Sequence, residues 1–437
     1  MSQRNQVYLI LLHIGLGILI AKLPFFSKFY AILIFFVGLF IVLKNKNRNN
    51  EILYVIAYVA GSEVLLRTTN GGFFYEYGKY LMLFFTFLGF LLSGLPKIKN
   101  PYWFFLFLLL PSIFISFHFL ENDYRRKISF EILGPICLGL LSVYNYNKSL
   151  SLKEIKIILS SIGFPLVTTC FYLIINYTYN LDKVNMYGSN FYYSGNFAPN
   201  QIATVLGFGF FIYFLKVFQA KKYSIVFYFY LLLFCLIFYR GLLTFSRGGI
   251  VTGIIAIFCF ILILHLSKVN TSRVKEYILI FILFLSVITI VDYQTKNSLS
   301  SRYTNITKFD FSEKKLKKGR YMLVSSDVNN FIENPVFGVG VGVGQEIRKA
   351  NYNNNINTHS EVTRLVSEHG LLGLTCFFTL IIFPIINFKH NIGNIYLIPF
   401  FVFWFLSINH SATRIILPLF LYSLTVIKIY PNQEERN

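Results

Sequence analysis

Tyr223 to Leu266 reads YSIVFYFYLLLFCLIFYRGLLTFSRGGIVTGIIAIFCFILILHL. Two apolar runs, 223–239 and 248–266, flank a short turn, and neither contains Asp, Glu, Lys or Arg. Each is long enough to cross a bilayer as a helix, so the stretch predicts a pair of membrane spans joined at Thr244-Phe245-Ser246-Arg247-Gly248-Gly249. The glycines after Arg247 are expected to clear space around its guanidinium. Arg247 and the nearby Arg240 fit equally well as interfacial arginines reaching for headgroups.

The same pattern extends along the chain. About fourteen apolar runs qualify as spans: 7–26, 29–43, 51–66, 79–95, 102–119, 128–144, 157–177, 200–215, 223–239, 248–266, 277–293, 365–387, 395–408 and 412–428. The first follows only Arg4 and lacks a small-residue cleavage site, so it is expected to be a span and not a removed signal peptide. Of the 437 residues 55% are hydrophobic, with fifty Phe and thirty Tyr, and the mean hydropathy is +0.58. The fold expected is therefore all-α: a polytopic transmembrane bundle of about 12–14 spans carrying one large, partly helical polar loop. Along the chain this divides into N-terminal spans (1–195), spans with the Ser-Arg-Gly turn (196–293), the large loop (294–364) and C-terminal spans (365–437). The five cysteines fall in apolar runs, so neither a disulfide framework nor a thiolate metal site is indicated.

Lysine marks every second short loop (Lys44 and Lys46, Lys97 and Lys99, Lys148 and Lys153, Lys221 and Lys222, Lys268 and Lys275), which by the positive-inside rule predicts that both termini are cytoplasmic. The loop 294–364 then faces outward. That face is rich in arginine instead (Arg67, Arg240, Arg247, Arg302, Arg320, Arg414), and a planar fork suits bidentate phosphate binding where lysine suits a topology signal. The net charge of +21 is thus read as topology plus an anionic ligand, and no basic aromatic-laced soluble domain offers itself to nucleic acid.

Within the loop, Asn334-Pro335 opens a turn and Gly338, Gly340, Gly342 and Gly344 alternate, which would let backbone amides approach a ligand. Thr358-His359-Ser360-Glu361 has the form of a capping box, with Thr358 as N-cap and His359 in the first helical turn. Free N–H groups and the positive end of the dipole would favour an anion there. Two further polar helix starts face the same way: Pro199-Asn200-Gln201, whose amides suit sugar hydroxyls, and Asn409-His410-Ser411-Ala412-Thr413-Arg414. Glu63 and Arg67 lie at i,i+4 and should pair on one helix face. The chain has no D-x-D pair in its external loops, no H-E-x-x-H, no P-loop and no G-x-S-x-G, so metal-dependent sugar-nucleotide transfer, zinc hydrolysis, ATP hydrolysis and the common acyl hydrolase lack their residues.

On Ser246-Arg247-Gly248, Asn334-Pro335-Val336-Phe337-Gly338-Val339-Gly340, His359-Ser360-Glu361 and Glu368-His369-Gly370-Leu371-Leu372-Gly373, the chain resembles the O-antigen ligase and polymerase family of bacterial membrane glycosyltransferases. Gly319-Arg320, Glu76-Tyr77-Gly78-Lys79 and Pro199-Asn200-Gln201 are similar too, and the ordered likeness covers roughly 195–415. It departs from the family in having His359-Ser360 where a His-Asn pair is commoner. The resemblance implies an undecaprenyl-diphosphate-linked glycan donor and a glycan or lipid A core acceptor whose hydroxyl attacks with inversion at the periplasmic face of the inner membrane, in the presence of membrane lipids only and with no cofactor or metal. It implies His359 as activating base and Arg247 and Arg320 on the diphosphate. Arg67 and Arg414 are expected to join them, with Asn200, Gln201 and Glu361 on the glycan. A repeat-unit polymerase shares these motifs, and a flippase for lipid-linked glycans is the competing class, for which inverted repeats and mid-span charges would be expected.

Overall fold

The computed structural model describes residues 3–96, 98–119, 124–178, 180–185, 188–266, 273–304, 320–352, 358, 360–391, 394–410 and 413–430. Its helices are α1 (Gln3–Lys22), α2 (Phe26–Asn45), α3 (Glu51–Thr68), α4 (Tyr77–Ser93), α5 (Pro101–Leu108), α6 (Leu110–Phe119), α7 (Tyr124–Asn145), α8 (Leu152–Asn176), α9 (Pro199–Gln219), α10 (Ile225–Leu243), α11 (Arg247–Leu266), α12 (Val274–Gln294), α13 (Ser298–Thr304), α14 (Arg320–Glu333), α15 (Val343–Tyr352), α16 (Glu361–His390), α17 (Leu397–Ser407) and α18 (Ile416–Leu424). Among the described residues nine helices are long and apolar enough to cross a membrane, and three shorter apolar helices accompany them. The protein is an all-α polytopic bundle, and the loop after α12 is partly helical as expected.

Two apolar runs behave differently from the sequence expectation. The run 102–119 is broken between α5 and α6, where Pro111 has no N–H for the preceding turn and its ring opposes the carbonyl four residues back. The run 412–428 holds helix only over α18 and then extends into β2 (Lys428–Tyr430), which pairs in parallel with β1 (Ser149–Ser151), Ser149 opposite Lys428. This small sheet fastens the end of α18 to the turn between α7 and α8.

Helix α9 is the axis of the bundle, with nearly every side chain from Pro199 to Val217 buried. Lipid tails are as apolar as leucine, so burial alone does not hold such a helix; close backbone approach does. Ala203 and Gly207 on α9 meet Gly249 and Gly253 on α11. A Cβ at Gly249 would lie 2.3 Å from the Ala203 carbonyl carbon, and one at Gly253 2.2 Å from the Gly207 oxygen. Gly249 therefore serves the α9–α11 seam and not, as its position after Arg247 suggested, the space around the guanidinium. Phe245 reverses the chain into α11 with φ 53°, a left-handed conformation that its own burial helps hold.

The glycine-rich segment has a structural task as well. Helix α16 is broken at Gly370 (φ 60°), which strands the carbonyls one turn earlier. Val339 N–H donates to Ser367 O (3.0 Å), Gly340 N–H to Glu368 O (3.1 Å) and Gly342 N–H to a Glu368 carboxylate oxygen (3.1 Å), while Leu371 N–H returns to Pro335 O (2.7 Å). Positive φ at Gly338, Gly340 and Gly342 lets the segment lie this close; a Cβ at Gly338 would sit 2.4 Å from the Glu368 carbonyl carbon. The Gly340 and Gly342 amides are spent on α16 and that of Gly338 on Asn334 O (3.0 Å), so for these three the expectation that they cradle a ligand is overturned. The Asn334–Gly340 and Glu368–Gly373 motifs are the two halves of one clasp.

Candidate functional site

Two cavities open at the end of the bundle where α3 and α10 finish and α4, α9, α11, α16 and α18 begin. They lie on either side of the start of α9: Asn200 lines one and its neighbour Gln201 lines the other.

The first encloses about 360 Å³. Its polar end carries Arg247, Arg302, Asn409 and His410, and its wall then continues through Val251, Ile255 and Leu406. No carboxylate is among the described residues lining it. Arg247 begins α11, so its guanidinium adds to the positive end of a long helix dipole, and its Nη1 donates to Arg302 O (3.0 Å), tying α13 to the site. Ser246 Oγ donates to Asn200 Oδ1 (2.8 Å), which joins the turn to the start of α9. The His410 imidazole packs on Gly248, where a Cβ would come within 3.0 Å of Nδ1. That contact accounts for the first glycine after Arg247. Arg240, by contrast, is buried outside both cavities and spends its fork on Tyr177 O and Tyr193 O (2.9 Å each), holding those two residues at the end of α10.

The second cavity is smaller, about 200 Å³, and its cations Arg67, Lys79 and Arg364 are already matched by carboxylates. Arg67 pairs with Glu63 (2.7 Å), as the i,i+4 spacing predicted, and also with Glu76 (2.6 Å); Lys79 pairs with Glu76 (3.1 Å). Arg67 further donates to Gln201 Oε1 (3.2 Å) and Arg414 O (2.7 Å). The second oxygen of Glu63 accepts the Ile416 N–H (2.6 Å), capping α18. On the facing side Arg364 holds Glu361 (2.7 Å), Glu368 (3.2 Å) and Glu131 (3.4 Å). Arg414 Nη2 donates to Thr358 O (2.8 Å). Tyr75 and Phe130 stand at the rim.

The capping box expected at Thr358 is not the one that forms. Helix α16 starts at Glu361, and Ser360 is its N-cap, accepting from Thr363 N–H. Glu361 N–H donates to Ile408 O (3.1 Å), and the Glu361 side chain turns to Arg364 instead of back to Thr358. Thr358 lines the second cavity, and His359 lies outside the described residues. Arg320 opens α14, and its side chain is also outside what the structure describes. Of the other expected site residues, Arg247 and Asn200 come together in the first cavity, and Arg67, Arg414, Gln201 and Glu361 in the second. Sequence reasoning counted Arg302 among the outward arginines and His410 in a polar helix start without committing either to the site, and it committed none of Lys79, Glu131, Tyr75 or Phe130. Glu76-Tyr77-Gly78-Lys79 was the one signal pointing to Lys79.

Among proteins of curated function none matches the chain. Residues 231–378, from α10 through the Ser-Arg-Gly turn and the clasp into α16, match the family model described as O-Antigen ligase. That stretch contains Arg247, Arg302 and both halves of the clasp, and over it the chain is similar to the O-antigen ligase family.

Proposed function

We propose that the protein transfers a glycan from undecaprenyl diphosphate to an acceptor hydroxyl at the periplasmic face of the bacterial inner membrane. The observation that carries this reading is the first cavity: a polar end with Arg247, Arg302 and His410 at a helix start, no carboxylate among the described lining residues, and an apolar wall below. A diphosphate fits the guanidinium end and a polyprenyl chain the Val251–Ile255–Leu406 wall. Arg320 and Arg414 would add positive charge at the same end of the bundle, and Arg67 would hold the partition between the cavities. In the reaction His359 takes the acceptor proton, the acceptor oxygen bonds to the anomeric carbon from the face opposite the leaving group, and the bond from that carbon to the diphosphate oxygen breaks. Undecaprenyl diphosphate departs with the electron pair, its charge met by guanidinium groups and the α11 dipole, the fixed positive charge that such a leaving group needs. Thr358, whose carbonyl Arg414 grips, lines the second cavity. Asn200 on the donor side and Gln201 on the other are suited to hydrogen-bond the glycan on its two flanks.

The test is reconstitution of the full chain in lipid nanodiscs with an undecaprenyl-diphosphate glycan and a lipid A core acceptor. Transfer should appear in the wild type, vanish in His359→Ala with donor binding kept, and fall roughly tenfold in Arg247→Lys, where the charge remains and the fork is lost. Movement of donor across a vesicle bilayer without bond formation would replace this with a flippase. Whether finished polysaccharide or single repeat units are moved is decided by a deletion strain: long chains left on the lipid carrier mean a ligase, single-repeat products a polymerase.

A further inference from the structure

We infer that the second cavity is the acceptor subsite and that it takes an uncharged sugar, excluding uronic acids and phosphorylated sugars; this rests on the reading that the protein is a glycan transferase. Among the described residues at this site, five carboxylates (Glu63, Glu76, Glu131, Glu361 and Glu368) surround the cations Arg67, Lys79, Arg364 and Arg414. Arg67, Lys79 and Arg364 each hold at least one carboxylate, and Arg414 holds the Thr358 carbonyl. At Arg67, Lys79 and Arg364 an anionic ligand would have to displace a buried carboxylate from its cation and leave it unpaired, which the low-dielectric surroundings penalise heavily, and at Arg414 it would compete with the Glu361 carboxylate, whose charge that guanidinium already stabilises. Hydroxyl groups meet no such obstacle, because they donate to carboxylate oxygens and accept from the same guanidinium without breaking a pair.

The rim points to a sugar and not to a hydroxyl of another kind. Tyr75 and Phe130 are each about half exposed, at 49% and 45%, and their rings lie 6.1 Å apart with Phe197 a further neighbour of Tyr75 at 6.5 Å. The Arg67 guanidinium stacks on Tyr75 at 4.6 Å and holds it in place. Aromatic faces carry negative quadrupole, and the C–H face of a pyranose presents the matching partial positive charge and an apolar surface. Rings at the mouth with carboxylates, Gln201 and Thr413 deeper in form a graded surface for a polyhydroxylated ring.

The experiment reads donor-free binding of an uncharged hexose oligosaccharide, and of the same chain ending in a uronic acid, by saturation-transfer NMR on the full protein in nanodiscs. Both rim aromatics are exposed, so Tyr75→Ala and Phe130→Ala should fold, which a thermal melt checks. Binding of the neutral oligosaccharide is expected, weakened about five- to tenfold by either substitution and restored in Tyr75→Trp, with donor affinity unmoved. The uronic acid form should not bind to wild type and should gain binding in Glu131→Gln. Equal binding of the two oligosaccharides, or binding indifferent to Tyr75 and Phe130, overturns the inference while leaving donor binding through Arg247 intact; loss of donor binding in the wild type would instead strike the transferase reading alone.

Discussion

The two cavities share one end of the bundle and differ in how their arginines are satisfied. In the first, Arg247 donates to a main-chain carbonyl, and no carboxylate is among the described lining residues. In the second, Arg67 and Arg364 are each held by two or three carboxylates. A carbonyl orients a guanidinium without cancelling its charge, whereas a carboxylate does both. Arginine at this end of the bundle is thus two different devices, one that keeps its charge for a ligand and one that binds helices together, and only the partner tells them apart.

The comparison breaks most sharply on Arg67→Ala against Arg247→Ala. Removing Arg67 leaves Glu63 and Glu76 buried without their shared cation, a loss of about 3–5 kcal/mol, so the melting temperature should drop steeply and activity should go with it. Removing Arg247 should leave the melt close to wild type and weaken binding of a lipid diphosphate by roughly 10–100-fold, the value of one or two charge-assisted hydrogen bonds. Thermal melts paired with donor-binding isotherms decide it; if Arg67→Ala melts like wild type and loses only donor affinity, the two arginines are the same device after all.

Next in size is the seam that sets the position of Arg247. Gly249→Ala would press a methyl into the Ala203–Thr204 backbone, which cannot move aside as a flexible side chain would. An overpacking cost of about 1–3 kcal/mol is expected, with donor affinity falling because α11 is pushed off α9. Gly248→Ala meets only the His410 ring, at 3.0 Å, and should shift that imidazole with little change in the melt. Similar melts for the two variants would mean that the glycines are interchangeable and that the seam does not fix the site.

Neighbouring glycines with unlike tasks show where the sequence stops being legible. The spans could be seen because apolar length is a local property, and the Glu63–Arg67 pair because i,i+4 is a local spacing. The Ser246-Arg247-Gly248 turn was visible for the same reason. What pairs across the fold was not: Glu131 reaches Arg364 from 233 residues away, and Glu63 caps Ile416 from 353. The alternating glycines looked like a ligand cradle because positive φ and close approach are all that a sequence can suggest; the partner they approach is the broken helix at Gly370. The sequence reading capped α16 with Thr358, but Ser360 caps it, and the Glu361 side chain that would close a box on Thr358 is drawn to Arg364.

The finest test of the distinction is a cation–carboxylate pair in the loop, outside the apolar helices. Arg348 on α15 holds Asp327 on α14 at 2.6 Å, and Thr363 Oγ1 donates to the other oxygen (2.9 Å). Burial lifts the Asp327 carboxyl above its ordinary value, and Arg348 and the threonine draw it back only in part. The folded chain therefore holds this proton more tightly than the unfolded chain does. Ionised Asp327 works against the fold above the raised value, and that opposition fades as the pH falls through it. Melting temperatures of wild type and Asp327→Asn, followed from about pH 7 to about pH 4, should show the wild type gaining on the variant as the solution is acidified. The opposite slope would mean that Arg348 outweighs burial and keeps the carboxyl low. In that case a carboxylate in this loop is as firmly ionised as one in water, and pairing alone would not separate the matched arginines from those left for a ligand.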